Sequence, residues 1–459
     1  MNKKTYFLKG ILTENGWLEN VAIEVDSIGE ILSIQNDIVA RPDYEMVNGY
    51  ALPGFQNGHS HAFQYAMVGL AEYDEGHTDN FWTWRNAMYD LALTISPIQM
   101  EAIASQLYAD MLRMGYTAVA EFHYVHHQPN GQFYDQIDEL GQALMRAADK
   151  VGIHLTLIPI LYQKGNFGKN AEAKQRRFIC SDIEDYFRLL DASIHSSKSC
   201  DRVDVAVGAH SLRAVGKENL QLLLQTIDSD RPFHMHISEQ IKEIEDCLDF
   251  YKQRPVEWLL DNFNVNKKFN LVHATHMTAQ ETKSLANTGA NVVLCPATEG
   301  NLGDGIFNFT QYNQSKGSWC IGTDSHISIN HLEDLRWVDN VQRLITHQRI
   351  SYRIPNSPDS GFNAIKQAWQ GGRRAMGKDV VQFFKVGDYF DAVIVDASEP
   401  LIASTNLKNM CNTIVYGQNS SFIKGTITAG KWRVKNGRHI QSDSIGHDFV
   451  KNIKELGSR

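Results

Sequence analysis

The sequence has few cysteines and no cysteine pair at the spacing of a zinc or redox motif. Six cysteines are spread over 459 residues, at Cys180, Cys200, Cys247, Cys295, Cys320 and Cys411. Scattered cysteines of this kind are typical of free thiols in a reducing compartment, not of a disulfide framework. We therefore predict a cytoplasmic protein.

Long hydrophobic runs and basic tracts are also missing. No segment approaches the length of a membrane span, and the apolar stretch near the start is too short for the core of a signal peptide. The chain has 44 basic and 53 acidic residues, a formal net charge of -9, and no tract rich in lysine and arginine. These absences argue against a membrane or a nucleic acid as a partner.

The composition is that of an ordinary globular protein, with 43% hydrophobic and 21% charged residues. Short alternating runs at the two ends predict strands at residues 5–8, 21–25, 31–34, 392–395, 413–416 and 431–434. The Asn15-Gly16 pair is typical of a hairpin turn. We predict that residues 1–50 and 385–459 together form one small β-sandwich domain.

Eight apolar runs in the middle of the chain predict buried parallel strands, at residues 51–56, 117–122, 153–161, 203–207, 233–237, 270–273, 291–295 and 319–323. Segments of helical period separate most of them, such as residues 97–114, where Ser96 is a candidate N-cap with Gln99 three residues later. Eight strands alternating with helices predict an α/β fold, a closed (β/α)8 TIM-like barrel over residues 51–384.

Polar residues collect where these predicted strands end: His59, His61, His236, Glu239, His273 and Asp324. In a parallel barrel the loops that follow the strands lie on one face. Residues far apart in the sequence therefore become neighbours, and we expect a polar site at this face.

Two histidines at positions i and i+2 of an extended segment point the same way, so His59 and His61 are candidate ligands of one metal ion. His236 and Asp324 would complete three nitrogens and one oxygen, which suit Zn²⁺ and are acceptable to Fe²⁺ or Mn²⁺. The ion would activate water, with Asp324, Glu239 and His273 as acid/base and electrostatic groups. A turn or cap role for Asp324 and a solvent-exposed Glu239 are the simpler alternatives.

Three further stretches are more particular: AEFHYVHH at residues 120–127, HSLRAV at 210–215 and EGNLGDG at 299–305. With the HxH motif, the barrel histidine and the aspartate, they make the chain similar to the amidohydrolase superfamily. Within it, the chain resembles the N-formimino-L-glutamate deiminases of histidine degradation, over nearly its whole length.

The resemblance implies one zinc ion per subunit on His59, His61, His236 and Asp324, with catalytic roles for Glu239, His273 and Asp324. Hydroxide would attack the formimino carbon, and Glu239 would carry the proton that expels ammonia. No lysine follows strand four at the place of a carboxylated bridge, so one metal rather than two is expected. We also expect a homodimer.

The substrate of this family carries two carboxylates, and guanidinium groups bind carboxylates bidentately. The resemblance assigns the anchoring groups to Arg85 and Arg213. It adds Gln64, Tyr124 and His210 as their hydrogen-bonding neighbours. A small dicarboxylate is thus the expected partner.

Two other functions stay open. A different aminohydrolase, acting on a nucleobase-like ring, would have an aromatic-lined pocket with at most one arginine. A non-catalytic barrel acting as a scaffold would lack metal ligands, whereas all four are present. Tyr65 and Gly300 stand where the family has a basic residue and an alanine, which leaves the fine substrate preference open.

Overall fold

The computed structural model describes residues 3–70, 72, 81–228, 230–349, 351–378, 381–417 and 419–457. Within these ranges the strands are β1 (Lys4–Thr13), β2 (Gly16–Val25), β3 (Ile31–Gln35), β4 (Glu45–Pro53), β5 (Phe55–Ser60), β6 (Tyr116–His123), β7 (His154–Leu161), β8 (Lys164–Asn166), β9 (Lys169–Asn170), β10 (Val203–Val205), β11 (Val207–Ala209), β12 (Phe233–Ile237), β13 (Phe269–His273), β14 (Asn291–Leu294), β15 (Ser318–Ile321), β16 (Ala392–Asp396), β17 (Ile423–Thr428), β18 (Lys431–Lys435) and β19 (Arg438–His439).

The helices over the same ranges are α1 (Phe81–Thr94), α2 (Pro97–Arg113), α3 (Glu139–Val151), α4 (Ile183–Ser197), α5 (Lys217–Thr226), α6 (Ile241–Tyr251), α7 (Pro255–Asn262), α8 (Ala279–Ala286), α9 (Pro296–Asn301), α10 (Phe309–Gln314), α11 (His331–Thr346), α12 (Ser360–Ala375), α13 (Pro400–Ala403), α14 (Leu407–Gly417) and α15 (Ser442–Leu456). Short 3-10 helices cover Ala62–Met67, Ala173–Gln175 and Ser420–Phe422. None of the described helices combines the length and the apolar character needed to cross a membrane.

The two ends of the chain build one eight-stranded sheet, in the order β19-β18-β17-β16-β4-β1-β2-β3. A tight hairpin joins β1 to β2, with Thr13 opposite Gly16, as the Asn15-Gly16 pair predicts. The pairing of β1 with β4 is parallel and the other pairings are antiparallel. This sheet buries an apolar face that includes Tyr6, Leu8 and Val21.

The middle of the chain forms the predicted barrel. Its parallel strands follow the order β15-β14-β13-β12-β11-β7-β6-β5, with β10 beside β7. The first and last strands close the ring through backbone hydrogen bonds: Thr323 N donates to His59 O over 3.0 Å, and His61 N donates to Asp324 O over 3.2 Å. Closure therefore places the HxH segment directly beside Asp324, as the predicted (β/α)8 fold requires.

The first barrel strand was predicted in the wrong place. The apolar residues 51–53 end β4 of the terminal sheet, and the barrel strand β5 begins at Phe55. Gly54 lies between them, where a side chain does not fit because its Cβ would lie 2.0 Å from Thr117 Oγ1. Strand β5 is polar because its buried side chains find partners inside the barrel, as Asn57 Nδ2 does with Thr323 Oγ1 over 2.7 Å.

The predicted strand at residues 413–416 is also wrong, because this segment lies in helix α14. Its β-branched residues favour a strand, but Met410, Cys411, Ile414 and Val415 recur at helical spacing and are all buried. The helix packs against α11 and α12. Tertiary packing therefore outweighs local propensity here. Helix α2, by contrast, begins as predicted, with Ser96 and Gln99 in a reciprocal capping box.

Candidate active site

The four candidate ligands meet at the carboxyl ends of the barrel strands. His59 Nε2 lies 3.1 Å from the Nε2 atoms of both His61 and His236. Asp324 Oδ1 lies 3.4 Å from His59 Nε2 and 3.2 Å from His61 Nε2. All four side chains are buried. One ligand atom from each of them lies within 4.8 Å of the others, so the four could hold a single metal ion.

These separations fit the geometry of a tetrahedral zinc site. Zinc bonds of 2.0–2.2 Å to nitrogen and oxygen place neighbouring ligand atoms about 3.3 Å apart. For four of the six pairs of ligand atoms the distance runs from 3.1 to 3.4 Å, and all six pairs lie within 4.8 Å. The four side chains are therefore close enough to share one ion.

The outer nitrogens of two imidazoles fix which atom faces the cluster. His61 Nδ1 donates to the carbonyl oxygen of Phe122 over 2.9 Å, and His236 Nδ1 donates to that of His210 over 3.1 Å. Because each neutral imidazole has a single N–H, both Nε2 atoms carry lone pairs. Lone pairs aimed at each other and at a carboxylate repel, unless a cation lies between them. The donor set thus fits a metal ion.

Burial sets the protonation states that metal binding requires. It lowers the pKa of His59 to about 3, and the neighbouring His61 adds to this effect. Burial also holds the pKa of His236 well below its ordinary value. His59 and His236 are therefore uncharged imidazoles, which bind a divalent cation without first losing protons.

A buried carboxylate holds the HxH turn in place. Glu121, on β6, accepts hydrogen bonds from Ser60 Oγ at 2.6 Å, from the Ala62 N–H at 2.5 Å and from the Tyr108 hydroxyl at 3.2 Å. These bonds fix the backbone on both sides of His61. Glu121 belongs to the AEFHYVHH stretch but was not predicted as a site residue, because its role depends on a contact between the neighbouring strands β5 and β6.

His273 lies among three carboxylates. Its Nε2 is 3.8 Å from Glu239 Oε1 and 3.8 Å from Asp324 Oδ2, while its Nδ1 is 3.3 Å from Glu299 Oε1. Burial would lower the pKa of His273, but the three carboxylates raise it to about 10. The imidazole therefore carries a positive charge that can stabilise negative charge on a reacting group.

Glu299 is a site residue that the sequence analysis missed. Besides facing His273, its Oε1 accepts a hydrogen bond from the Cys295 N–H over 2.9 Å at the start of α9. This bond holds the carboxylate against His273 Nδ1. The EGNLGDG stretch contains Glu299, but nothing in its spacing indicates which catalytic residue it contacts.

Three residues of the same site have an unusual backbone conformation. Ser238, His273 and Asp324 all adopt positive φ angles, of 53°, 70° and 50°, although none of them is glycine. Non-glycine residues pay a conformational cost in this region and occur there mainly where the surrounding structure imposes it. The strand ends are thus held in the orientations that bring these side chains together.

A cavity opens over the four candidate ligands. It is lined by His61, Trp84, Arg85, Met88, Tyr89, Tyr124, Tyr162, Phe178, His210, Arg213, His236, Glu239, His273, Leu302 and Asp324. Four of the five candidate substrate residues are in this lining. The fifth, Gln64, lies behind Tyr124 and donates from Nε2 to its hydroxyl over 2.9 Å.

The two arginines enter the cavity from different elements. Arg85 lies on α1, with its guanidinium 5.0 Å from the centre of the Tyr89 ring. Arg213 follows β11, and its Nη2 lies 3.6 Å from Glu239 Oε2. Burial would lower the pKa of Arg213, but Glu243 and Glu239 raise it. Arg85 and Arg213 thus share one cavity with three of the four candidate metal ligands.

The two departures from the family pattern lie outside the cavity lining. Tyr65 donates from its hydroxyl to Asp110 Oδ2 over 3.0 Å, and its ring packs against Phe449 of α15. Gly300 has open space where a Cβ would stand. Neither residue changes the walls of the cavity, so the differences do not bear directly on substrate contacts.

Comparison with known proteins identifies the family of the chain. A model of the amidohydrolase family matches residues 50–433. A formimidoylglutamate deiminase of Pseudomonas aeruginosa is 39% identical over 98% of this chain and 99% of its own length. A 5-methylthioadenosine/S-adenosylhomocysteine deaminase of Haloquadratum walsbyi is 25% identical over 86% of this chain and 81% of its own.

Solved structures show the same relationship. An amidohydrolase from Brucella melitensis superimposes with a TM-score of 0.93 and 38% identity, covering 99% of both chains. An adenosine deaminase from Xanthomonas campestris, solved with bound zinc, has a TM-score of 0.80 at 19% identity and covers 99% of this chain and 98% of that chain. The second likeness concerns the fold alone.

Proposed function

The chain belongs to the amidohydrolase family, and we propose that it hydrolyses N-formimino-L-glutamate to N-formyl-L-glutamate and ammonia in histidine degradation. The observation that carries this proposal is the presence of two arginines, Arg85 and Arg213, in the cavity above the four candidate metal ligands. A dicarboxylate needs two cationic anchors. The deiminase relative, similar over the full length of both chains, supports the same substrate.

We propose that one zinc ion binds His59, His61, His236 and Asp324, with Fe²⁺ or Mn²⁺ as alternatives. When bound, zinc lowers the pKa of a coordinated water to about 7 and so supplies the nucleophile. Three nitrogens and one oxygen suit zinc, and four of the six separations between ligand atoms match those of a tetrahedral site.

The side chains around the four candidate ligands transfer protons, stabilise charge and bind the carboxylates. Glu239 lies at the cavity wall, 3.8 Å from His273 Nε2, and carries the proton to the departing nitrogen. His273 stabilises negative charge that develops on the oxygen and nitrogen bonded to the formimino carbon. Asp324 accepts the proton of the attacking water, while Arg85 and Arg213 hold the two carboxylates. Because the net charge of the chain is -9, this local positive charge must attract the anionic substrate.

A nucleoside or nucleobase deaminase is the second candidate, because aromatic rings form much of the cavity wall. Trp84, Tyr89, Tyr124, Tyr162 and Phe178 all line it. Such a wall suits a stacked ring, and one distant relative is a deaminase of adenosine derivatives. Two arginines in one cavity favour the dicarboxylate instead, since guanidinium groups bind carboxylates bidentately.

The test is a direct assay of ammonia release by the purified protein. N-formimino-L-glutamate is compared with N-formimino-L-aspartate, a formamidino analogue and 5′-methylthioadenosine, and zinc per chain is measured by mass spectrometry. We expect the highest kcat/KM with formiminoglutamate and about one zinc ion per chain. Preference for the nucleoside would favour the second candidate, and a protein without stoichiometric metal or turnover would be a scaffold.

We also propose a cytoplasmic homodimer and the domain division at residues 50 and 385. Light scattering coupled to size-exclusion chromatography gives the oligomeric state, and limited proteolysis followed by mass spectrometry locates the domain boundaries. A monomer in solution would contradict the first prediction.

A further inference from the structure

Two tyrosines of the cavity wall share one buried amide. Gln175 is fully buried, and its Nε2 donates to the Tyr162 hydroxyl over 2.8 Å and to the Tyr89 hydroxyl over 3.2 Å. Its Oε1 accepts a hydrogen bond from the Glu172 N–H over 2.8 Å. Because a backbone N–H only donates, this bond fixes the amide with its oxygen toward Glu172 and its NH₂ toward the tyrosines.

This arrangement determines what the hydroxyl hydrogens can do. Each phenol oxygen already accepts a hydrogen from Gln175, and each phenol has one hydrogen of its own to donate. If one tyrosine donates to the other, one hydrogen still needs an acceptor outside the pair. Burial raises the pKa of Tyr89, so its hydroxyl keeps its proton. At least one hydroxyl hydrogen of Tyr89 and Tyr162 therefore has no acceptor within the group formed by Gln175 and the two tyrosines.

The surroundings of the pair favour an anion as the acceptor. Both tyrosines line the same cavity as Arg85 and Arg213. Arg85 lies four positions before Tyr89 on α1 and packs over its ring. A carboxylate offers about four lone-pair positions, of which an arginine fork occupies two. A neutral donor beside the arginine can occupy another.

We propose that Tyr89 and Tyr162, oriented by Gln175, form a hydrogen-bond-donor subsite for one substrate carboxylate, beside the arginine anchors. This inference rests on the proposed function, because it assigns further specificity residues to the same dicarboxylate. The tyrosines contact substrate, whereas Gln175 is a positioning residue that directs their hydrogens. The subsite distinguishes a hydrogen-bond acceptor from a neutral apolar group of the same size.

The direct test uses Tyr89→Phe and Tyr162→Phe, which remove only the hydroxyls. Loss of a hydrogen bond to a charged group should weaken substrate and product binding by about 10- to 100-fold, with a much smaller change in kcat. We measure KM for N-formimino-L-glutamate, and the dissociation constant of N-formyl-L-glutamate by calorimetry. Tyr65→Phe is the matched control, because its hydroxyl binds Asp110 outside the cavity lining.

A second variant tests the role of the amide. Gln175→Glu keeps the shape and still accepts from the Glu172 N–H, but its other oxygen accepts where the amide donated. It should turn the hydroxyl hydrogens away from the cavity and raise KM as strongly as the tyrosine variants. Unchanged KM in a Gln175→Glu protein that melts like the wild type would overturn the positioning role.

Truncated substrates identify the carboxylate. The N-formimino derivatives of 4-aminobutyrate and 2-aminobutyrate each lack one of the two carboxylates. The penalty of Tyr→Phe should vanish with one derivative and persist with the other, and an equal penalty with both would overturn the subsite. A wild type inactive on formiminoglutamate would overturn the proposed function and this inference together. An active wild type with unaffected tyrosine variants would overturn the inference alone.

Discussion

Replacing Arg213 by methionine tests how the cavity holds an anion. The guanidinium is largely buried, and its Nη2 lies 3.6 Å from Glu239 Oε2. Its Nε has no hydrogen-bond partner among the residues that the structure describes. A buried donor without a partner costs free energy unless a ligand supplies an acceptor. The Nε edge of Arg213 is thus available for a substrate carboxylate.

The expected effect follows from the loss of one buried charged partner. Truncating such a pair costs about 2–5 kcal/mol, which corresponds to roughly 30- to 5,000-fold in kcat/KM at 1.36 kcal/mol per tenfold. Two contributions add here, because Arg213→Met removes a substrate anchor and also removes the positive charge that Arg213 places beside Glu239 and Glu243. We expect kcat/KM to fall by about 100- to 1,000-fold, with KM rising and kcat falling.

The assay measures ammonia release and zinc per chain in parallel. Zinc should stay at the wild-type level, because Arg213 contacts no metal ligand in the described contacts. Arg213→Lys keeps the charge but loses the planar fork, so its activity should lie between wild type and methionine. Arg146→Met is the matched control, since Arg146 pairs with Glu101 on a partly exposed surface. Wild-type kcat/KM in zinc-loaded Arg213→Met would refute the anchoring role.

Three further variants probe the metal, the catalytic histidine and the contact between barrel and terminal sheet. Asp324→Asn removes the only anionic ligand, so zinc content and kcat should both fall, and an unaffected enzyme would contradict the assignment. Glu299→Gln removes the charge opposite His273, so kcat should fall about 10- to 100-fold with KM unchanged, and an unchanged kcat would exclude a role for that charge. Burial would raise the pKa of Asp391, but His154 lowers it below its usual value. Ionised Asp391 therefore stabilises the folded state. This stabilisation is present above the pKa of about 3.9 in the unfolded chain and is lost as the pH falls through the lower pKa of the folded state. Asp391→Asn should therefore lower the melting temperature at neutral pH but not in strong acid, and an equal loss at both pH values would contradict this reasoning.

Glu45→Gln is the matched control for Glu299→Gln. Glu45 is a partly buried carboxylate of the terminal sheet that accepts a hydrogen bond from Trp432 Nε1 over 2.7 Å. It contacts none of the residues around His273. Wild-type kcat in Glu45→Gln would show that losing a hydrogen-bonded carboxylate elsewhere in the molecule does not slow the reaction.

The barrel and the grouping of the four candidate ligands could be predicted from sequence, because both follow from the topology of the barrel. Once eight parallel strands alternate with helices, the residues after each strand must meet on one face. His59, His61, His236 and Asp324 needed only their positions at strand ends to be grouped. Strand periodicity, a local property, thus carried long-range information.

The remaining site residues depend on tertiary contacts that the hydrophobic periodicity of the sequence does not reveal. Glu299 reaches His273 from the start of a short helix, and Gln175 reaches two tyrosines from a 3-10 turn. Such contacts arise from the paths of irregular loops. The misplaced first strand has the same origin, because Ala51 and Leu52 look alike whether they end a strand of the terminal sheet or begin one of the barrel.

The hydrogen bonds between the first and last barrel strands link the beginning of the barrel sequence to its end. Asn57 and Thr323, which meet there, are 266 positions apart. A metal ion bound by residues on both sides of this junction would crosslink the ends of a very long loop. Such a crosslink would stabilise the folded barrel relative to the unfolded chain. Ribosome-bound chains that stop short of Asp324 would lack one of the four candidate ligands, so the complete metal site should form only after the last barrel strand has been synthesised.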